Sequence, residues 1–256
     1  MTTKLTSSVQ GKISIRSQGR TSGPRRFIAL LAFIPALSAC DDLQFPRDPE
    51  GTLKSVVSDG EMTVAVSLNP PWTDVDRDGE LSGVEVELVE DFADELGARI
   101  VWRRLDAFAA LASLEQDDVD LAIGGFTRKD VMPVAGVAPS YVFYEEDSVL
   151  AVRGERPDDA KPQGDRVFVP QHLPLAELVT DEGGRPVDEW SEDVKFAAVP
   201  RWQAAALGLT PVDVILHRAD HVVVVRQGEN GWLMEIERFL RRQTSNLDER
   251  LRANQR

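Results

Sequence analysis

The chain of 256 residues carries 29 basic and 43 acidic side chains, a formal charge of −14, and a hydrophobic fraction of 42% that is ordinary for a globular protein. Six of the basic residues and none of the acids lie in the first forty positions, so the remainder holds 23 basic against 43 acidic residues, formally −20. A surface that negative argues against nucleic acid as a partner, and a single cysteine excludes an internal disulfide, leaving stability to a packed core.

The basic opening ends in Arg25-Arg26, thirteen mostly apolar residues follow at 27–39, and Cys40 closes the run Leu37-Ser38-Ala39-Cys40. Basic, apolar and small-residue regions in that order are the layout of a secretory signal, and thirteen residues fall short of the ~20 that a membrane-spanning helix needs. The final run resembles the lipobox of a bacterial lipoprotein; the alternative is a core cysteine after a short apolar helix. The resemblance implies a signal peptide over 1–39, lipidation at Cys40, and a protein anchored on the periplasmic side of the membrane. Residues 40–52 are polar, contain Pro46 and Pro49, and suit a tether.

Residues 62–67 (MTVAVS) read as a short buried strand. A helix is predicted over 84–96, with Leu88, Val89, Phe92 and Leu96 on one face and Gly97 at its C-cap. A strand at 99–103 and a helix around 107–114 follow, the latter with Phe108, Leu111 and Leu114 inward, then a strand at 119–123. Further strand signals fall at 167–169, 196–199 and 212–216, a last helix at 232–242, and a polar tail at 243–256. Strands alternating with helices of this length predict an α/β fold with a mainly parallel sheet. The segment 147–155 is echoed by 220–229, each an apolar strand opening after an aspartate and ending in Arg and Gly. Two lobes joined by a pair of crossing strands account for the echo, and chance likeness between Val-rich strands is the alternative. This places one lobe at 53–150 with 221–242 and a second, short lobe at 151–220.

Residues 60–140 carry a set of motifs in order: Met62-Thr63-Val64-Ala65-Val66, Asn69-Pro70-Pro71-Trp72, Asp78-Gly79-Glu80-Leu81-Ser82-Gly83-Val84-Glu85-Val86-Glu87-Leu88, Glu95-Leu96-Gly97-Ala98, and Asp118-Val119-Asp120-Leu121-Ala122-Ile123-Gly124-Gly125-Phe126-Thr127. Together they resemble the first lobe of the family 3 extracellular solute-binding proteins, associated with polar amino-acid uptake. Residues 221–225 with Gln227-Gly228-Glu229-Asn230 look like that family's second hinge strand and following helix. The resemblance implies a periplasmic-binding-protein-like type II fold, with two α/β lobes, two hinge strands and a cleft that closes on ligand.

By that resemblance Trp72 packs against the ligand, Gly125 and Thr127 meet it from the loop after the third strand, and Tyr141 walls the cleft. A core role is the alternative for both aromatics. The family's carboxylate-clamping arginine falls at Val131 or Met132, leaving Arg128 as its substitute or as a solvated surface residue. The second lobe's Gly-Thr anion turn, expected near Gln171-His172-Leu173-Pro174, is missing, and the aspartate that holds an amino group falls loosely near His217. Separately, Asp74, Asp76, Asp78, Glu80 and Glu85 fit a calcium-loop pattern in which alternate carboxylates converge on one cation; a solvated acidic turn is the alternative. His172, His217 and His221 show no metal-ligand spacing with cysteine, and the Val-rich runs around the last two argue strand, with surface or interlobe positions.

The expectation is a lipid-anchored solute-binding protein and not an enzyme, needing no cofactor beyond the calcium candidate. Its partners would be a small polar solute and a membrane transporter or other inner-membrane protein. The damaged clamp keeps open an accessory or sensory protein with a degenerate site, and a dehydratase-type enzyme on the same fold.

Overall fold

The computed structural model describes residues 48–155, 161–171 and 173–254. The expected signal peptide, Cys40 and most of the expected tether lie outside the described residues. Among those described, no helix is long and apolar enough to cross a membrane.

A short helix α1 (Thr52–Asp59) leads into β1 (Glu61–Val66), then a hairpin of β2 (Asp74–Val75) and β3 (Leu81–Ser82). The long helix α2 (Val84–Leu96) ends at Gly97, whose φ of 68° lets its amide return to the Ala93 carbonyl. Next come β4 (Arg99–Arg104), α3 (Ala107–Glu115), β5 (Leu121–Ile123), α4 (Arg128–Val131) and β6 (Val137–Pro139). Asp106 caps α3 by accepting from the Ala109 amide at 2.9 Å. The second region holds β7 (Tyr144–Arg153), β8 (Arg166–Phe168), α5 (Ala176–Asp181), β9 (Arg185–Val187), β10 (Phe196–Pro200), α6 (Arg201–Ala204) and β11 (Leu209–His221). The chain closes with β12 (Val224–Arg226), α7 (Asn230–Gln243) and α8 (Leu247–Ala253).

The strands form two five-stranded sheets, ordered β4-β1-β5-β12-β6 and β11-β7-β10-β8-β9. In the first, β1 runs parallel to β4 and β5, while β12 is antiparallel to β5 and β6. Successive side chains of β1 serve opposite faces. Met62, Val64 and Val66 meet Leu88, Phe92, Trp232, Ile236 and Phe239, whereas Ala65 faces Ala110, Leu114 and Val131. The second sheet packs Leu150, Val167 and Phe196 against Leu175 and Val179, and its other face covers Ala151, Ala197, Val199 and Ala204. The chain passes between the sheets twice, from β6 to β7 and from β11 to β12. This is the two-lobed type II periplasmic-binding architecture.

Several expectations change. Phe108 is 83% exposed, while Leu111 and Leu114 are buried, because the buried side of α3 runs through Ala110, Leu111, Ser113 and Leu114 and leaves its first turn outside. The expected second crossing strand at 220–229 divides: the long partner of β7 is β11, which ends at His221, and residues 224–226 pair within the first sheet. The lobe limit placed at residue 150 falls inside β7, since that strand pairs with β10 and β11 along most of its length. The expected polar tail instead forms α8, whose Leu247 and Leu251 are buried in the first core. A seven-residue helix presenting two apolar positions four apart is too brief a signal to stand out from a charged background. The helix α1 gives an equally brief signal, since of its residues only Thr52 and Val56 are buried.

The two helix starts at the chain's beginning and end complete each other. Glu229 accepts from the amides of Glu50 and Thr52 at 2.9 and 3.1 Å, and Asp48 accepts from those of Gly231 and Trp232 at 2.5 and 3.1 Å. Each carboxylate thus sits where orphan N–H groups concentrate positive potential.

Candidate functional site

The candidate site lies at the carboxyl ends of the parallel strands of the first sheet, beside its junction with the second. In open α/β sheets this is where ligands bind, because loops diverge there and leave backbone groups facing outward. The loop after β5, Gly124-Gly125-Phe126-Thr127, sits next to the Asn69-Pro70-Pro71-Trp72 turn after β1. Asn69 donates its side-chain amide to the Gly124 carbonyl at 3.1 Å. Gly125 has φ 64°, and a Cβ there would stand 2.4 Å from Asn69 Nδ2 and 2.9 Å from Trp72 Cδ1, so only glycine permits this approach. Gly83 does the same from the other side: a Cβ would lie 2.6 Å from the Trp72 carbonyl oxygen.

Trp72 is 3% exposed. One side of its indole meets the Gly125 backbone, and its ring stacks on the His221 imidazole with centroids 3.9 Å apart and planes at 30°. Tyr144 and Phe143 approach at 5.5 and 6.2 Å. Tyr141 is elsewhere: its amide donates to Glu237 at 2.7 Å and the Arg241 guanidinium lies over its ring at 4.7 Å, which places it under α7. The aromatics that surround Trp72 are therefore the two that follow in the chain, at the start of β7.

Thr127 caps α4 in a reciprocal box with Asp130, and its backbone bridges to His221 across the two sheets. Its hydroxyl donates to Asp130 at 2.6 Å. Arg128 is exposed and forms no ion pair among the described residues; of the two expected clamp positions, Val131 is buried and Met132 is 66% exposed. Gly125, Thr127 and Trp72 are thus brought together, Arg128 follows Thr127 as an exposed residue of α4, and Tyr141 is apart.

The acidic loop takes a different form from a cation cage. It is the β2–β3 hairpin, in which Asp76 accepts from the amides of Asp78 and Glu80 at 2.9 and 3.0 Å. Glu85 is fully buried and turned inward, where one oxygen accepts from the amides of Gly124 and Gly125, each at 2.8 Å. Among the described residues no group of three or more His, Cys, Asp or Glu is placed to hold a metal, which corrects the calcium candidate. Helix geometry decides this: the first turn of α2 carries Glu85 toward the strand ends, away from the hairpin.

Burial pushes the Glu85 carboxyl above its ordinary range, against the Gly125 amide, His221 and the Gly124 amide, which pull it down. Among the described residues its second oxygen has no hydrogen-bond partner, nor has either ring nitrogen of His221, itself 3% exposed. Glu146 on β7 lies 4.0 Å from His221 Nε2 and accepts from the Trp202 indole at 2.8 Å. His221, Glu85 and Glu146 thus form a buried polar group at the junction. Proximity along the chain announces none of it, since the three come from β11, α2 and β7.

In the second lobe, the parallel strand β10 ends at Pro200-Arg201, where Arg201 reaches Asp147 at 3.8 Å. His217 is exposed on β11 and level with the end of β10, since His217 and Pro200 both pair with Ser148 of β7. His172 lies outside the described residues. A surface cleft of about 480 Å³ opens at the ends of β8 and β9, lined by Val169, Gln171, Leu173, Val187, Asp188 and Glu189 among others.

Two lobes, two crossings and a loop cluster at the strand ends beside them define a binding protein of the periplasmic type II class. The profile of the bacterial extracellular solute-binding proteins, family 3, matches residues 62–251, and the chain belongs to this family. Among solved structures, the L-cystine solute receptor of Neisseria gonorrhoeae in its unliganded open conformation aligns with a TM-score of 0.62 and 16% identity, over 76% of this chain and 91% of the receptor. An ancestral cationic amino acid solute-binding protein aligns with a TM-score of 0.62 and 15% identity, over 78% of this chain and 97% of that one. Among curated relatives, membrane-bound lytic murein transglycosylase F of Enterobacter sp. (strain 638) is 27% identical over 178 residues, covering 66% of this chain and 34% of the relative. The same enzyme of Pectobacterium atrosepticum is 25% identical over 133 residues, 51% of this chain and 27% of the relative. The chain therefore spans about a third or less of the length of these curated relatives.

Proposed function

We propose that this protein is a lipid-anchored, extracytoplasmic solute-binding protein that serves a membrane transporter, and that it binds and does not catalyse. Its ligand is a small polar solute held between the lobes. The observation that carries the reading is the Gly124-Gly125-Phe126-Thr127 loop, kept in place by Glu85 and Asn69 at the strand ends and touching the second sheet through His221. Support for the anchor is the signal-like order of residues 25–40 alone.

A second reading is an accessory protein that has given up solute binding. It is favoured by Trp72, whose ring is covered by His221 and Gly125, and by Met132 in place of a clamp. A thermal-shift screen of the Cys40→Ser chain against amino acids, polyamines and small carboxylates separates the two. A ligand at 100 times its Kd stabilises the fold by about 2.7 kcal/mol, well within reach of such a screen. A shift with one chemical class supports the binding protein and names its solute; no shift with any class transfers the reading to the accessory protein.

A further inference from the structure

The second lobe is tied to the first by more than the two crossings. Helix α8 lies where the lobes meet, and its side chains divide between them. Toward the first lobe, Arg250 reaches Asp91 at 3.0 Å and Glu87 at 3.9 Å, and Asn254 donates to Glu87 at 3.0 Å, fastening α8 along α2. Toward the second, Arg252 donates to the Trp202 carbonyl on α6 at 3.2 Å, and the Tyr144 hydroxyl on β7 donates to Asp248 at 2.6 Å. Between these two rows Leu247 and Leu251 are buried, at 2% and 0% exposure, in the first lobe's core. That same core admits Trp202, a residue of the second lobe. Trp202 is held from its far side as well, by the indole bond to Glu146 on β7.

We propose that α8 is an interlobe latch. It sets the angle between the lobes, and any hinge motion that opens or closes the cleft has to release its hold on Trp202 and Tyr144. A two-lobed protein moves by absorbing rotation in a few crossover residues while each lobe stays rigid. The crossings here, 140–143 and 222–223, are short, and rotation about them moves α6 and β7 relative to α2, while α8 holds contacts to all three. The Arg252 and Asp248 contacts are single hydrogen bonds to two different elements, α6 and β7, whereas the Arg250 and Asn254 contacts follow one long helix. The second-lobe side is therefore the one that releases, and α8 travels with the first lobe.

This inference depends on the two-lobed fold and not on the solute-binding reading, and its test uses no ligand. In the full chain with Cys40→Ser, spin labels at Lys54→Cys on α1 and Glu177→Cys on α5 report the separation of the lobes by pulsed electron resonance. The expected result is one narrow distance distribution for the parent. Asp248→Ala with Arg252→Ala should give a broadened distribution with a shifted mean, while thermal unfolding shows that the protein remains folded. An unchanged distribution in that folded variant overturns the latch. If the double variant does not fold, Tyr144→Phe removes a single hydroxyl and retains the ring. Faster hydrogen exchange at the amides of α8 together with a broadened distribution then supports the latch, and parent-like exchange and distances overturn it.

Discussion

The strand ends of the two lobes are built on opposite plans. In the first lobe they are full: Trp72 is sandwiched between the Gly125 backbone and His221, and Glu85 takes up the Gly124 and Gly125 amides. In the second they are open, with a cleft of about 480 Å³ beside β8 and β9. The difference has a covalent origin. The connection from β9 to β10 spans residues 188–195 and contains no helix, although a crossover between parallel strands ordinarily needs a dozen or more residues. Trp190 compensates in part: it packs on Phe168 at 5.4 Å with the Arg153 guanidinium 4.4 Å over its ring. One aromatic covers less of a sheet than a helix does. The first lobe thus spends its side chains on its own loop, and the second leaves its edge uncovered.

The comparison breaks most readily at Trp72. If its ring belongs to the core, Trp72→Ala costs about 3–5 kcal/mol in denaturant unfolding; a loss below about 1 kcal/mol would make it a free face waiting for ligand. Gly125→Ala follows, at about 1–3 kcal/mol, because a left-handed backbone position and a contact inside van der Waals range are imposed together. A smaller cost would mean that the loop can move away from Trp72 easily, as an adaptable binding loop would.

The Glu85 carboxyl sharpens the picture through pH. Burial raises its folded pKa above the ordinary 4.5, so its contribution to stability is fully present below that value and is lost as pH climbs through the raised one. Unfolding free energy measured over a pH series should therefore decline upward from about 4.5. Glu85→Gln should flatten the decline, with a residual slope from Asp120, whose carboxyl burial also raises. An equally steep decline in Glu85→Gln would assign the slope to other groups. The smallest effect is expected at Arg128. As an exposed residue without an ion pair among the described residues, it should change stability by no more than about 0.5 kcal/mol on replacement by alanine. If an acidic solute proves to bind, Arg128→Ala should weaken its affinity by about 1–3 kcal/mol by titration calorimetry, and an unchanged Kd removes it from the site.

Legibility in the sequence tracked how local each interaction is. The helix over Val84–Leu96 was plain because Leu88, Val89 and Phe92 repeat on one face and Gly97 closes it. The strands β1, β4 and β10 were plain as short apolar runs between polar turns. The loop Gly124-Gly125-Phe126-Thr127 was found by its motif, and the structure sets it beside Trp72. Phe108 misled because a helical repeat marks a face without saying where that face ends. Glu85 misled because one spacing serves both a calcium loop and a carboxylate that reaches back to a neighbouring strand.

The order of apolar, polar and glycine residues was by itself enough for an α/β fold and for the run β1, α2, β4, α3 and β5 of the first lobe, and the family resemblance placed its strand-end loop. Four matters were left to the tertiary structure: His221 against Trp72, Glu85 beneath the glycine amides, Tyr141 under α7, and α8 between the lobes. The contacts concerned join residues some 40 to 160 positions apart. Which aromatic meets which histidine is settled by how two sheets and their crossings pack, and that depends on the volume and direction of every side chain between them.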